Sequence, residues 1–360
     1  MPNTKGSKII FDGSPLRYLH TGLGQFSYYL IKELAQHHEK YDLSFLVHQA
    51  SKGLIDAFTQ RLVEVTWLRR HAPHFLLPAL FKKYDLWHAS SEITRFNNFP
   101  DSARVLVTLH GLHFLDEDAP DLAKRKLDQV QKLVNKSHAL ATVSAYTETI
   151  VRKNLDLGNR PLKIIHHGVE DKTAQEYKKP GMVTNAKFIF SIGSFFERKN
   201  FHVLLPFLQR LDGYKLILAG DHRKGYGKFI KKEILKLSLS DRVILTGEIG
   251  EPEKNWLYQN CEAFVFPSIS EGFGIPVIEA LQAGKPVFCS EFGSLPEMGG
   301  VHAFYWKNFE PDYMRDFFIE KIHTFNQNPE NKINCRRYAS SFSWRKAAES
   351  YLSYYAELLN

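Results

Sequence analysis

Short apolar runs recur along the whole chain, and a polar or glycine-containing loop and a helical stretch separate each run from the next. Runs that are apolar on both faces are typical of buried strands in parallel sheets. The predicted strands are Lys8–Gly13, Leu43–Val47, Val63–Trp67, Asp85–Ala89, Arg104–Leu109, Ala139–Ser144, Lys163–Val169, Phe188–Gly193, Lys215–Ala219, Val243–Thr246, Phe264–Pro267 and Val287–Cys289. The predicted helices are Phe26–Leu34, Asp121–Val134, Tyr146–Asn154, Phe201–Leu211, Lys224–Lys236, Glu253–Asn260, Val277–Ala283 and a last helix that Ser343 caps and that ends near Leu358.

The alternation of strands and helices predicts an α/β fold with parallel sheets. A chain of 360 residues is long enough for two domains of ordinary size. The polar stretch Glu170–Asn185 separates two sets of predicted strands and is typical of a linker. We therefore expect an N-terminal domain over residues 1–175, a C-terminal domain over residues 183–342 and a final segment over residues 343–360.

One stretch, Ala263–Glu297, combines a strand, a glycine loop, a helix and a second strand. Loops of this kind lie at the carboxyl ends of parallel strands, where ligands bind. Pro276 is suited to the start of the predicted helix, and the N–H groups and dipole of a helix start favour a phosphate. Two glutamates flank this position: Glu271 in the loop, and Glu279 in what we predict to be the first helical turn.

Glu271 and Glu279 are separated by seven residues, with FPS before them, GFG between them and GKPV after them. This pattern resembles the E-x(7)-E signature of the retaining, nucleotide-sugar-dependent glycosyltransferases of family 4. The resemblance extends in order over nearly the whole chain and is strongest from Phe188 to Glu297. It implies a GT-B fold, in which two Rossmann-like domains face a cleft. It also implies that the last helix crosses back to the N-terminal, acceptor-side domain.

The resemblance implies a donor site in the C-terminal domain for a nucleoside-diphosphate sugar, with GDP or UDP as the nucleotide. Arg198 and Lys199, in a G-x(4)-R-K-N segment after a predicted strand, would hold the diphosphate without a metal ion. Glu279 would bind the ribose hydroxyls, and Glu271 would hold the donor sugar as a nucleophile or as an orienting group. The remaining donor-site residues that the resemblance implies are Gly272, Phe273, Gly274 and Ile275 at the diphosphate and Glu248 and Ile249 at the base.

In the N-terminal domain the resemblance points to His110, which ends a predicted strand and would approach the donor sugar. Gly111 follows it where aspartate is common in the family, so the group beside the histidine is left open. The loop with Gly22 and Gly24 would face the donor phosphates, whereas on its own it would be a plain turn. His167 replaces an asparagine of the family, and the adjacent His166 should point to the opposite face.

Composition narrows the class of protein further. Hydrophobic content of 44% and charged content of 24% are typical of a globular domain, and no run of 18 apolar residues predicts a membrane span. The N-terminus has no long apolar segment of a secretory signal, and the cysteines are three, without metal-ligand spacing. These features predict a cytoplasmic protein whose cysteines hold no metal ion. The resemblance implies that there is no cofactor, because the nucleotide sugar is the donor substrate, and that no metal ion is needed. The acidic run Asp116–Asp118 fits a helix start better than a cation site.

The net charge of +8 suits nucleic acid, an anionic membrane or a phosphorylated substrate, and also a merely solvated basic surface. No zinc spacing, RNP-like segment or basic tail supports a nucleic-acid partner. The segment Trp67–Lys83 mixes aromatic and basic residues as membrane-surface segments do, although its two prolines favour an ordinary surface helix.

The expected reaction is the transfer of a hexose such as mannose or glucose to a glycan or lipid-linked acceptor during the synthesis of a cell-surface polysaccharide. Two alternatives stay open on the same fold. One is another nucleotide-sugar enzyme, such as a 2-epimerase or a glycogen- or starch-synthase-like elongating enzyme. The other is a non-catalytic partner in glycan assembly.

Overall fold

The protein is described from a computed structural model, which covers residues 6–19, 21–37, 41–59, 61–64, 83–94, 99–170, 176–183, 186–223 and 225–360. The chain divides into two compact units. The first unit consists of Met1–Gly168 and Ser343–Asn360, and the second unit is Val169–Phe342. The segment Trp67–Lys83, for which the sequence favours a surface helix over a membrane-surface segment, lies, except for its last residue, outside the described residues.

The first unit contains a seven-stranded sheet in which every pairing is parallel. Its strands are β1 (Lys8–Asp12), β2 (Asp42–Val47), β3 (Leu62–Glu64), β4 (Leu86–Ala89), β5 (Arg104–Leu109), β6 (Ala139–Thr142) and β7 (Leu162–Ile164). The strand order is β3-β2-β1-β4-β5-β6-β7. All side chains of β4 and β6 are buried, as expected for central strands covered on both faces.

The second unit repeats this plan with six parallel strands. They are β8 (Phe188–Ile192), β9 (Lys215–Ala219), β10 (Val243–Gly247), β11 (Ala263–Phe266), β12 (Val287–Ser290) and β13 (Phe304–Trp306). Their order is β10-β9-β8-β11-β12-β13. The predicted α/β class with two parallel sheets is therefore confirmed. The sequence did not predict β13, which has only three residues and lies at the edge of its sheet.

Helices connect the strands of both units. Their bounds are α1 (Gly22–Leu34), α2 (Phe114–Glu117), α3 (Pro120–Lys136), α4 (Ala145–Asn154), α5 (Leu204–Gln209), α6 (Tyr226–Lys236), α7 (Glu251–Asn260), α8 (Ile275–Gln282), α9 (Leu295–Gly299), α10 (Pro311–Gln327), α11 (Glu330–Ala339) and α12 (Trp344–Leu359). No helix among these described residues is both long enough and apolar enough to cross a membrane. Helices α10 and α11 follow the last predicted strand and were not expected from the sequence.

Helix α12 belongs to the core of the first unit, although it ends the chain. Ser343 caps it by accepting a hydrogen bond from the N–H of Lys346 at 3.2 Å. Tyr351, Tyr354 and Tyr355 are fully buried against the first sheet and helix α1. Their burial explains why the last helix returns to the unit that contains the N-terminus.

The strand order fixes where a ligand site can form in each sheet. In the second unit the chain runs outward from β8 to β10 in one direction and from β11 to β13 in the other. Neighbouring strands whose connections leave in opposite directions open a crevice at their carboxyl ends, which is where ligands bind in doubly wound sheets. The loops after β8 and β11 therefore meet at the edge of such a crevice, and they carry the residues described next.

Candidate active site

Three charged side chains meet between the loops that follow β8 and β11. Lys199 Nζ lies 2.5 Å from Glu271 Oε1, and Arg198 Nη1 lies 3.3 Å from Glu271 Oε2. Arg198 also donates to the carbonyl oxygen of Ser270 at 3.1 Å. The structure thus brings together two cations and one carboxylate that the sequence separates by about 72 positions.

Local backbone geometry explains why Lys199 points into this cluster. Asn200 adopts a left-handed conformation, with φ of 57°, directly after the short helical turn Glu197–Lys199. Asparagine tolerates this conformation better than most residues. Gly193, at the end of β8, has φ of 154°, and a Cβ atom there would lie 3.1 Å from Lys199 Cε. A glycine at this position therefore leaves room for the lysine stem.

Glu271 is held as a carboxylate by its partners. Its side chain is almost fully buried, and Ser268 Oγ donates to Oε1 at 2.6 Å. Burial alone would raise the pKa of Glu271, but Lys199 and Arg198 outweigh it and lower the pKa to about 2. The residue is therefore ionised at every physiological pH, and its negative charge is paired. Sequence reasoning missed Ser268, because a serine in a loop carries no distinctive signal.

Helix α8 begins directly beside this cluster. Gly274, with φ of 105°, precedes Ile275, the first helical residue, and Pro276 follows in the first turn. The sequence assigned the first helical position to Pro276, one residue too late. The N–H groups of a first turn have no helical acceptor of their own, so this end of the helix suits a phosphate. Gly272, Phe273, Gly274 and Ile275 form the connection from Glu271 into this turn.

Ser294 holds the Glu271–Phe273 backbone in place from the loop after β12. Its hydroxyl oxygen lies 2.9 Å from the carbonyl oxygen of Glu271 and 2.6 Å from that of Phe273, so its one proton is shared between these two acceptors. Gly293 has φ of 66°, and a Cβ atom there would lie 2.9 Å from the backbone nitrogen of Glu271. The residue after β12 thus needs to be glycine both for its conformation and for its close approach to the Glu271 loop.

We expect Gly293→Ala to lower the transfer rate by roughly 10- to 100-fold, because the added methyl group pushes the Glu271 backbone out of position. The substitution should also cost about 1–2 kcal/mol of the free energy of unfolding, since it places alanine in a left-handed conformation. Initial rates with a saturating donor, together with urea unfolding, measure the two effects separately.

Gly213→Ala is the matched control for this prediction. Gly213 also has a positive φ of 78°, but no atom lies within 4 Å of the Cβ that alanine would add. This variant should therefore lose a similar amount of stability and keep the wild-type rate. Equal rates for the two variants would show that the contact between Gly293 and Glu271 is not needed for activity.

Glu279 lies elsewhere on helix α8 than the sequence predicted. Because the helix begins at Ile275, Glu279 is its fifth residue and belongs to the second turn, so it is not a helix-start carboxylate. Lys254 Nζ donates to its Oε1 at 2.9 Å, and Tyr258 donates to its Oε2 at 3.0 Å. Both partners come from helix α7 and were missed by sequence reasoning. The prediction that Glu279 lies in the first helical turn is therefore wrong.

The predicted base-binding residues Glu248 and Ile249 lie in the loop between β10 and α7. Gly247, the last residue of β10, has φ of 74° and turns the chain away from the sheet. Glu248 is exposed and lies 3.8 Å from Arg223 Nη2. This loop is at the carboxyl end of its sheet and leads directly into the helix that carries Lys254 and Tyr258.

His110 belongs to the first unit and directly follows β5. Its ring Nε2 lies 2.8 Å from the carbonyl oxygen of Ser90, and its backbone N–H donates to Glu92 Oε2 at 3.0 Å. Burial lowers the pKa of His110 to about 4, whereas burial raises that of Glu92 to about 7. Neutral His110 therefore lies beside a carboxyl group that titrates near neutrality. Glu92 is thus the group beside His110 that the sequence did not identify.

The glycines predicted to form a loop near the N-terminus are part of a helix. Helix α1 begins at Gly22, and Thr21 caps it by accepting from the N–H of Gly24 at 3.2 Å. The prediction of a loop over Gly22 and Gly24 is wrong, because the threonine cap starts the helix earlier than its apolar pattern does. Gly24 packs against the backbone of Tyr18, where a Cβ atom has no room. Their role toward donor phosphates stays a prediction.

Two adjacent histidines follow β7, the last strand of the first sheet. His166 is exposed, and His167 is buried against Phe26, with ring centroids 4.9 Å apart. The two rings therefore occupy different environments, but the predicted reason is wrong, because β7 ends at Ile164 and neither histidine belongs to a strand. His167 also lies 5.1 Å from the ring of His110.

Comparison with known proteins agrees with this geometry. The profile described as "Glycosyltransferase Family 4" matches residues 20–173, and that described as "Glycosyl transferases group 1" matches residues 172–341. Together with the two doubly wound sheets, these matches define a glycosyltransferase with the GT-B fold. The chain belongs to glycosyltransferase family 4.

Curated relatives are similar over much of the chain. The O-antigen chain mannosyltransferase B of Escherichia coli is 26% identical over 332 residues, which cover 81% of this chain and 84% of that protein. The O-antigen chain mannosyltransferase RfbU of Salmonella typhimurium is 24% identical over 230 residues, or 60% of this chain and 63% of the relative.

Solved structures share the whole architecture. HepE from Anabaena, crystallised in complex with UDP-glucose, superposes with a TM-score of 0.75 at 18% identity and covers 97% of this chain and 99% of its own. The sucrose-phosphate synthase of Thermosynechococcus elongatus gives a TM-score of 0.73 at 17% identity, and the match covers 98% of this chain and 99% of that chain. At this level of identity the likeness shows the fold alone.

Proposed function

We propose that this glycosyltransferase moves a mannosyl residue from a nucleoside-diphosphate sugar to a glycan acceptor, with retention at the anomeric carbon. The observation that supports the donor class is the cluster of Arg198, Lys199 and Glu271 at the crevice of the second sheet, beside the start of helix α8. Two cations and a helix start are what a diphosphate requires.

The chemical task of such a site is to stabilise the departing diphosphate. Negative charge grows on this leaving group as the glycosidic bond breaks. Arg198, Lys199 and the N–H groups over Gly272–Ile275 would lower the energy of that charge, an effect typically worth about 3–4 kcal/mol for each group removed. Because the cations come from the protein, we propose that the reaction needs no metal ion.

We propose that Glu271 orients the donor sugar and does not attack it. The carboxylate accepts from Ser268 and is paired with both Lys199 and Arg198. A carboxylate whose charge is neutralised in this way is a weak nucleophile, but it is a rigid hydrogen-bond acceptor. The acceptor hydroxyl would then attack from the face that the diphosphate leaves, and a diphosphate oxygen would take its proton.

The proposed sugar and acceptor rest on the curated relatives. Both are described as O-antigen chain mannosyltransferases, which favours mannose as the sugar and a growing surface polysaccharide, lipid-linked or free, as the acceptor. We propose that the enzyme acts in the cytoplasm, in peripheral contact with an anionic membrane face that its net charge of +8 would attract.

A panel of donors tests this function directly. Thermal shifts with GDP, UDP, GDP-mannose and UDP-glucose, each with magnesium and with EDTA, should show one strong stabiliser that is indifferent to the metal, because a ligand stabilises the state that binds it. The shift should be lost in Glu279→Ala. Incubating that donor with an O-antigen fragment and recording the anomeric proton by NMR then reports retention. The absence of any shift would contradict the proposal, and conversion of the donor without an acceptor would indicate an epimerase.

A further inference from the structure

Helix α6 has an outer face that the functions described so far do not use. Its inner face packs into the core of the second unit through Tyr226, Ile230 and Ile234, all of which are buried. The opposite face is exposed and carries four lysines, Lys228, Lys231, Lys232 and Lys236. Residues three and four positions apart are neighbours on a helix surface, so these side chains form one continuous patch. We call this patch, together with Leu235 in its middle, the α6 basic face.

The positive charge of the α6 basic face has little compensation from the protein itself. Among the residues that the structure describes, Lys228, Lys231 and Lys232 form no ion pair, whereas Lys236 Nζ lies 3.3 Å from Glu233 Oε2. Four lysines and one glutamate leave the helix with a net positive charge. Like charges four positions apart on a helix repel each other, so this face costs the isolated protein some stability. An anionic partner would relieve that repulsion.

Leu235 gives the α6 basic face an apolar centre. Its side chain is 70% exposed, and it follows Lys231 by four positions and Lys232 by three. Phe229, which is 44% exposed, lies at the margin of the same face. A single exposed leucine is ordinary, but lysines around exposed apolar side chains are typical of surfaces that bind lipid. On such surfaces the lysines meet anionic headgroups, and the apolar side chains reach the acyl boundary below them.

The α6 basic face starts near the loops of the proposed donor site. Helix α6 follows β9, whose carboxyl end lies at the same edge of the second sheet as those of β8 and β11. The backbone N–H of His202 donates to the Tyr226 hydroxyl at 2.9 Å, which ties the start of α6 to the turn after Lys199. A lipid surface that contacts the first turns of this face would therefore lie close to the donor loops of the same unit.

We infer that the α6 basic face docks the enzyme on an anionic lipid surface, with its lysines at the headgroups and Leu235 inserted between them. The inference rests on the proposed function, which includes peripheral contact with an anionic membrane, and it identifies the surface that makes this contact. Lipid is the favoured partner, because a nucleic acid would attract the lysines but would gain nothing from Leu235. Docking would hold the enzyme in the plane of a lipid-linked acceptor and raise the effective concentration of that acceptor.

Vesicle flotation of the whole chain tests the inference without a donor or an acceptor. The wild type should float with anionic vesicles of phosphatidylcholine and phosphatidylglycerol, but not with vesicles of phosphatidylcholine alone. High salt should release it, since exposed charges are then screened. Lys228→Gln/Lys232→Gln should lower the partition coefficient by roughly 10- to 100-fold, because each lysine near an anionic surface contributes to binding. Leu235→Gln should lower it by roughly 3- to 10-fold, because the inserted apolar side chain is lost.

Lys124→Gln/Lys132→Gln is the matched control on helix α3. It removes the same charge from two exposed lysines, but Asp128 lies midway between them, so that face is not continuously basic. This variant should float as the wild type does. An equal loss in the control and in Lys228→Gln/Lys232→Gln would overturn the inference, since the net charge of the protein would then explain its binding.

The remaining outcomes separate the inference from the function on which it rests. Leu235→Gln that floats as well as the wild type would overturn the inference, because the face would then attract any polyanion, nucleic acid included. Thermal shifts with the nucleotide panel are recorded on the same proteins, whose exchanged side chains are all exposed and should leave the fold intact. A wild type that a nucleotide stabilises but that does not float loses the inference and keeps the donor site. A wild type that floats but that no nucleotide stabilises keeps the inference and loses the proposed donor.

Discussion

Glu271→Gln should lower the rate of sugar transfer by about 10²- to 10³-fold and at the same time tighten the binding of the free nucleoside diphosphate. The rate falls because the amide cannot orient the donor sugar as a carboxylate does. Binding tightens because Glu271 competes for Lys199 and Arg198, which lie 2.5 and 3.3 Å from its oxygens. Neutralising the carboxylate frees both cations for the diphosphate. Single-turnover rates and calorimetric dissociation constants measure the two effects independently.

The opposite directions of these effects make the prediction specific. A substitution that merely disrupts the site weakens binding and rate together. Glu291→Gln serves as the matched control, since Glu291 is an exposed carboxylate in the loop that carries Gly293 and Ser294. That variant should match the wild type in both measurements. Weaker diphosphate binding by Glu271→Gln would mean that the carboxylate assists the cations and does not compete with them.

The sequence predicted the parts of the site that depend on strand ends. Lys199 and Glu271 each follow a buried apolar run, and the carboxyl ends of parallel strands share one edge of a sheet. The resemblance to a family supplied their roles, and it also identified Glu279 as the second site glutamate. Together these observations were enough to predict the fold class and the two loops that form the charged cluster.

Contacts between helices were not predictable in the same way. Helix α7 carries charged and apolar residues in a weakly amphipathic pattern, so nothing in its sequence distinguishes buried Lys254 from an exposed lysine. Its burial depends on packing against α8, which brings together residues 25 positions apart. Helix starts were misjudged for a related reason, because the Thr21 cap and Gly274 set the first residue, whereas the apolar pattern begins later.

Buried histidines of the first unit lead to the second large effect, a loss of stability in mild acid. His88 is fully buried, with its ring nitrogens 2.7 Å from the hydroxyls of Tyr355 and Thr108. His167 is buried against Phe26. Burial lowers the pKa of His88 to about 3 and that of His167 well below its usual value. Burial also lowers the pKa of His110, to about 4.

The sign of the effect follows from proton counting. Between pH 6.5 and pH 5 the unfolded chain takes up protons on these histidines, whereas the folded protein does not. Acid therefore stabilises the unfolded state relative to the folded state. For His88 and His167, lowering the pH from 7 to 5 should cost about 2 kcal/mol each. His110 adds a loss of similar size, and Glu92, whose pKa burial raises to about 7, offsets about as much because the folded protein takes up the Glu92 proton as the pH falls from 7 to 5. A total near 4 kcal/mol is a large part of the roughly 5–15 kcal/mol by which domains are stable.

Urea unfolding at pH 7, 6 and 5 tests this prediction, because it gives the slope of the free energy of unfolding against pH. His167→Asn removes one titrating group, so its free energy of unfolding should fall by roughly 1 kcal/mol less per pH unit near pH 5 than that of the wild type. His323→Gln is the control, because it replaces an exposed histidine outside the buried core, and its curve should run parallel to that of the wild type. Parallel curves for His167→Asn and the wild type would mean that His167 takes up its proton in the folded protein, and that burial in this core does not keep the imidazole neutral.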